Sequence, residues 1–89
     1  MFKWDEHNSA HIEVHGLSPE EVEEALLDPR RLGTPVYDVA GEERRGLIGA
    51  TSNGRIIFVV VTRRGGLVRV VTARDADERE KRRYRRRGK

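Results

Sequence analysis

Two arginines in one apolar strand, followed at once by a basic helix, are the residues of this chain best suited to chemistry. The run Val68-Arg69-Val70-Val71-Thr72-Ala73-Arg74 leads into Asp75-Ala76-Asp77-Glu78-Arg79-Glu80-Lys81-Arg82-Arg83-Tyr84 and a further arginine run. A guanidinium is planar, permanently charged and forked, so it matches phosphate or carboxylate through paired hydrogen bonds. On a rigid strand it can stabilise the charge that develops at phosphorus when a 2′-hydroxyl attacks it. Strand alternation puts Arg69 and Arg74 on opposite faces, unless Arg74 lies beyond the strand end. Arg44, Arg45 and Arg55 begin neighbouring strands and extend the basic patch, while Arg79, Arg82 and Arg83 extend it along the helix. Each strand arginine has a plainer reading as a strand-end charge that keeps an edge soluble. Tyr84 can stack on a base or give a proton, but its residue type and place fit the last apolar contact of its helix as well.

His7, His11 and His15 stand four apart, so on a helix they drift by only about 40° per step and share an arc with apolar neighbours. One metal bound by all three is not expected, because His7 and His15 would lie about 12 Å apart along the axis; a pairwise site at i, i+4 has the spacing but no nearby carboxylate on that face. For His7 and His11 the reading is imidazoles hydrogen-bonded at the core edge. His15, at the helix end before Gly16, is the candidate for moving a proton during RNA cleavage, since imidazole titrates near neutrality. No metal and no cofactor are expected.

Charge is distributed unevenly. Residues 1–28 carry one basic and eight acidic residues (−7), 29–60 five and three (+2), and 61–89 twelve and four (+8), which sum to the net +3. The positive end draws polyanions through counterion release, so nucleic acid is the first partner to consider. The same pattern also describes a charge-rich, merely solvated surface. Fifteen of the eighteen basic residues are arginine, which favours bidentate recognition. There is no cysteine, so disulfides and thiolate metal sites are excluded, and a reducing, cytoplasmic setting is the natural expectation. The longest apolar run, Ile56 to Val61, is six residues, far short of a membrane span. The start, Met1 to Glu6, lacks a signal-peptide core.

The elements that must position these residues follow from local signals. Phe2-Lys3-Trp4 reads as an edge strand, and a helix follows from Asp5 or Glu6 to His15, ended by Gly16. A second helix opens at Ser18, with Pro19 at the first helical position and Glu21 completing a capping box. Val22, Ala25 and Leu26 form its buried face, and Asp28-Pro29 closes it. A four-stranded antiparallel meander comes next: roughly 35–40, 44–51, 55–63 and 67–73. Its turns fall at Gly41-Glu42-Glu43, Asn53-Gly54 and Arg64-Gly65-Gly66. Ile56 to Val61 is apolar on both faces, so its strand is central. A last helix starts near Asp77, capped by Asp77 with Glu80 three residues on. The expected fold is α+β: two N-terminal helices packed on a curved antiparallel meander, with a C-terminal basic helix. Residues 1–84 form one domain and 85–89 a basic tail.

These pieces together resemble the BrnT-type toxins of the RelE/ParE-like superfamily. Phe2-Lys3-Trp4-Asp5 and His15-Gly16-Leu17-Ser18-x-Glu20-Glu21 resemble the family's opening. Gly41-Glu42-Glu43-Arg44, Ile48-Gly49 and the apolar strand after Arg55 are similar to its central hairpin. Arg69-Val70-Val71-Thr72-Ala73-Arg74-x-Ala76-x-x-x-Glu80-Lys81-x-x-Tyr84 resembles its ending most closely. The resemblance implies a small ribonuclease of a type II toxin–antitoxin system, acting on RNA in the cytoplasm. It also implies neutralisation by a BrnA-like ribbon-helix-helix antitoxin, with operator DNA engaged only through that antitoxin. His15, Arg69, Arg74 and Tyr84 are the catalytic candidates, and Arg44, Arg45, Arg55, Arg79, Arg82 and Arg83 the nucleic-acid-binding ones. Two other classes fit the residues alone: a nucleic-acid binder that does not cleave, and a protein-interaction module with an arginine-rich face.

Overall fold

The computed structural model describes residues 2–3 and 16–87. Along the chain these form β1 (Phe2–Lys3), α1 (Pro19–Leu26), β2 (Leu32–Val39), β3 (Glu42–Ala50), β4 (Ile56–Arg64), β5 (Leu67–Asp75) and α2 (Glu78–Arg87). The strands make one sheet in the order β1-β5-β4-β3-β2, so β4 is central. β2 to β5 pair antiparallel as a meander, and β1 joins the edge of β5 in parallel. Of the two N-terminal helices expected, the described residues hold one, α1. The other, expected from Asp5 or Glu6 to His15, lies outside them.

Local chemistry sets the ends of both helices. Ser18 Oγ accepts from the Glu21 N–H at 3.2 Å, and the Glu21 carboxylate accepts from the Ser18 N–H at 3.0 Å. Asp77 and Glu80 repeat this reciprocal box at the start of α2, at 2.8 and 2.9 Å. Two hairpins turn more tightly than their sequences suggest. Val39 pairs with Glu42, leaving only Ala40 and Gly41 in the turn, both at positive φ. Arg64 pairs with Leu67 around Gly65 and Gly66, again both positive. Such mirror-image two-residue turns match the right-handed twist of the strands, so Glu42, Glu43 and Arg64 belong to strands and not to turns.

Alternation along the strands gives the sheet two faces, each with its own cover. Val22, Ala25 and Leu26 of α1 pack with Leu17, Ile57, Val59, Val70 and Ala73 on one face. Gly49 makes this approach feasible: a Cβ there would lie 2.3 Å from the Ala25 carbonyl oxygen. Ile48, fully buried and pointing away from that cluster, pairs with Phe58 on the other face, and α2 packs on this side. Burying a side chain such as Val22 or Ile48 stabilises the fold by about 1.5–3 kcal/mol.

Asp28 ties the two layers together. Its Oδ2 accepts from the Ala50 N–H at 2.9 Å and from the Tyr84 hydroxyl at 2.5 Å, and its Oδ1 accepts from the Arg30 N–H at 2.9 Å. One carboxylate thus joins the end of α1, the end of β3 and the underside of α2. Burial works to raise its proton affinity, but the bonds from Tyr84, Arg30 and Ala50 outweigh that and hold it below the usual carboxylate value.

Candidate nucleic-acid interface

A bulge in β5 decides where the two strand arginines point. Val60 pairs with Thr72 and Val61 with Val70, so Val71 is an extra residue with no partner of its own on β4. Val70 and Ala73, three apart, therefore both face the α1-side core. Arg69, just before Val70, and Arg74, just after Ala73, both face the α2 side. The expectation of opposite faces, drawn from an unbroken alternation, is corrected here: the extra residue shifts the parity by one. β5 also runs on to Asp75, so Arg74 is a strand residue.

Arg74 is held on three sides. Its Nη1 and Nη2 donate to Glu80 Oε1 and Oε2 at 2.8 and 3.0 Å, and Nη1 also donates to the Asp75 carbonyl at 3.0 Å. Its guanidinium carbon stands 4.5 Å from the centroid of the Phe58 ring, a cation–π distance. The ring in turn lies over Gly46, where a Cβ would come within 2.6 Å of it. The bonds to Glu80 outweigh the cost of burial and raise the arginine above its already high ordinary value. Arg69 pairs with Thr62 across β4 and has no ion-pair partner among the described residues. Arg44 shares this face by alternation from Ile48, and its Nε bonds Glu42 at 3.2 Å.

The other candidates divide by what they touch. Arg55 is a clamp within the fold: Nε and Nη2 donate to the two Asp75 oxygens at 2.6 and 3.0 Å, and Nη1 donates to the Gly16 carbonyl at 2.9 Å. Glu21 adds a longer ion pair at 3.9 Å. These contacts join α1, β4 and β5. Arg45 points to the α1 side and, with Arg31 and Arg63, stands around an open concavity of about 960 Å³ that Leu47, Val61 and Val68 also line. Arg69 and Arg74 do not line it. Arg79, Arg82 and Arg83 are exposed along α2, whose less exposed residues are Glu80, Lys81 and Tyr84. Tyr84 points inward, and its hydroxyl is engaged by Asp28; burial and that bond raise its proton affinity. His7, His11 and His15 lie outside the described residues. Among the described residues no group of three or more His, Cys, Asp or Glu is arranged to hold a metal.

Three contributors to this site escaped the residue-by-residue reading. Glu80 was legible as a capping residue but not as the partner of Arg74. Phe58 was legible only as part of the central strand, and Asp28 only as a helix terminator.

An α+β domain with a helix on each sheet face, and two arginines brought to one of those faces by a bulge, is the class that this geometry defines. Residues 4–80 match the family described as the ribonuclease toxin BrnT of type II toxin–antitoxin systems, and the chain belongs to that family. Membership implies an antitoxin partner. No curated relative matches the chain.

Proposed function

We propose that this protein is an endoribonuclease that cleaves RNA without a metal, by attack of the 2′-hydroxyl on the adjacent phosphorus. The 2′-oxygen forms a bond to phosphorus as its proton passes to a base. The bond to the 5′-oxygen breaks as that oxygen takes up a proton, leaving a 2′,3′-cyclic phosphate and a 5′-hydroxyl. Arg69 and Arg74 stabilise the pentacoordinate phosphorus between these events, the contribution that preorganised cations make best. His15 supplies the proton transfer. Arg79, Arg82 and Arg83 hold the backbone of the RNA, together with Arg44 on the same side of the sheet; Arg45 faces the other side and takes no part. Tyr84 serves the site through the packing of α2.

The observation that carries this reading is the shared face of Arg69 and Arg74 in a chain of the BrnT family. The toxin is neutralised by a BrnA-like antitoxin in the cytoplasm, and operator DNA is reached only through that partner. Among the described residues no helix is long and apolar enough to cross a membrane. The direct test is expression from a tightly repressed promoter. Induction should arrest growth and fragment cellular RNA, and co-expression of the antitoxin should restore growth. Normal growth with intact RNA contradicts the proposal.

A further inference from the structure

Glu80 has more connections than a helix cap requires. Its backbone N–H donates to Asp77 Oδ1 and its Oε1 accepts from the Asp77 N–H, which fixes the carboxylate at the first turn of α2. The same carboxylate takes both terminal nitrogens of Arg74. Its side chain is 15% exposed against 40% for Arg74, so the carboxylate lies inside and the guanidinium outside.

The hydrogens of the guanidinium can be accounted for one by one. Arginine has five N–H donors. Both hydrogens of Nη1 are engaged, one by Glu80 and one by the Asp75 carbonyl, and Nη2 gives one to Glu80. Two remain without a partner among the described residues: Nε–H and the second hydrogen of Nη2. These two lie side by side on one edge of the planar group, the fork that matches two oxygens of a phosphate. One flat face is set against Phe58. The arginine is thus oriented by one edge and one face, with the other edge open.

We infer that Glu80 is a positioning residue for Arg74, holding the guanidinium so that its Nε–Nη2 edge meets an RNA phosphodiester. This rests on the ribonuclease reading above. The carboxylate does not compete with the phosphate, because the two anions use different edges. The start of α2 thereby sets the angle at which Arg74 meets its substrate, and Phe58, seated over Gly46, blocks rotation out of that plane.

The test compares the full chain with Glu80→Gln, Arg74→Lys and Arg74→Ala on a short RNA oligonucleotide. Glutamine keeps an oxygen for the Asp77 N–H but loses the charged double bond to Arg74. Glu80→Gln should lower kcat about tenfold or more, because a misaimed group no longer meets the transition state. KM should change much less, and the thermal midpoint should stay near that of the parent. Arg74→Lys, which keeps the charge but has no fork, should fall at least as far. Loss in Arg74→Ala with a fully active Glu80→Gln overturns the positioning role and leaves the ribonuclease site intact. Full activity in Arg74→Ala removes Arg74 from the mechanism and overturns the inference with it, whereas absence of cleavage by the parent chain overturns the ribonuclease reading itself. If Glu80→Gln does not fold, the parent chain decides: on titration with a non-cleavable 2′-deoxy-substituted oligonucleotide, the Arg74 Nε–H resonance should shift. A resonance that stays in place at saturation overturns the inference.

Discussion

Arg69 and Arg74 stand five residues apart in one strand yet face the same side of the sheet, because Val71 is an extra residue opposite β4. Regular alternation would have sent one guanidinium into the core side that Val70 and Ala73 fill. The bulge therefore does two things at once. It keeps Val70 and Ala73 buried three apart, and it collects two cations on the face that α2 borders.

Arg74→Ala is expected to lower RNA cleavage by at least about a hundredfold, the size seen when one preorganised donor to the reacting group is removed. The fold should persist, because the side chain is partly exposed and no core group goes with it. Arg69→Ala should weaken cleavage less. Cleavage rates and circular dichroism of the purified variants check this. Undiminished cleavage by Arg74→Ala would remove that residue from the mechanism.

Gly49→Ala should destabilise the protein by about 3 kcal/mol, since the new methyl meets backbone that no rotamer change can move. Gly46→Ala should cost less, because its clash is mainly with the Phe58 ring and the Thr34 hydroxyl. That ring is the support of Arg74, so Gly46→Ala should lose activity out of proportion to its stability. Chemical denaturation and cleavage assays on the two variants separate the effects.

Asp28 makes a pH-dependent contribution to stability. Its carboxyl is held below the ordinary value of about 3.9 in the folded state. The contribution is complete above that value and disappears as pH falls through the lower, folded one. Asp28→Asn should therefore be less stable than the parent near neutrality, by about 1 kcal/mol for exchanging charged hydrogen bonds in a part-exposed site. The gap should close below about pH 4. A gap of constant size from pH 7 to pH 3 would show that the charge is irrelevant. Tyr84→Phe should likewise cost about 1 kcal/mol by removing the bond to Asp28, with cleavage kept once the folded fraction is accounted for.

Removing the chain after Tyr84 deletes Arg85, Arg86, Arg87 and Lys89. For every phosphate that one of these cations neutralises, the slope of log affinity against log salt should fall by about 0.7 for single-stranded RNA. A partial loss of slope, with cleavage weakened and not abolished, is expected. An unchanged slope would mean that these cations are only solvated.

Much of the fold was legible because its signals are local. Both capping boxes span three residues, and the two-sided apolarity of Ile56 to Val61 marks the central strand directly. The bulge was not legible in the same way: Val68 to Arg74 is uniformly strand-forming, with no glycine to mark an irregularity. A trace of it exists, in that Val70 and Ala73 are both apolar and small enough for the core yet out of period-two register. Arg55 looked like the other strand-end arginines, since its partners Asp75 and Gly16 lie 20 and 39 residues away. Asp28 looked like a terminator because the distance to Tyr84, 56 residues, is closed only by the tertiary fold.

The ends of the cleaved RNA report the chemistry that the strand arginines serve. The purified chain should be incubated with an RNA oligonucleotide in the presence of a strong metal chelator, beside Arg74→Ala and a 2′-O-methylated substrate. The parent chain should form fragments with 2′,3′-cyclic phosphate and 5′-hydroxyl ends, nearly absent with Arg74→Ala and absent with the methylated substrate. Intact RNA, fragments ending in 5′-phosphate, or equal cleavage by Arg74→Ala would contradict that chemistry.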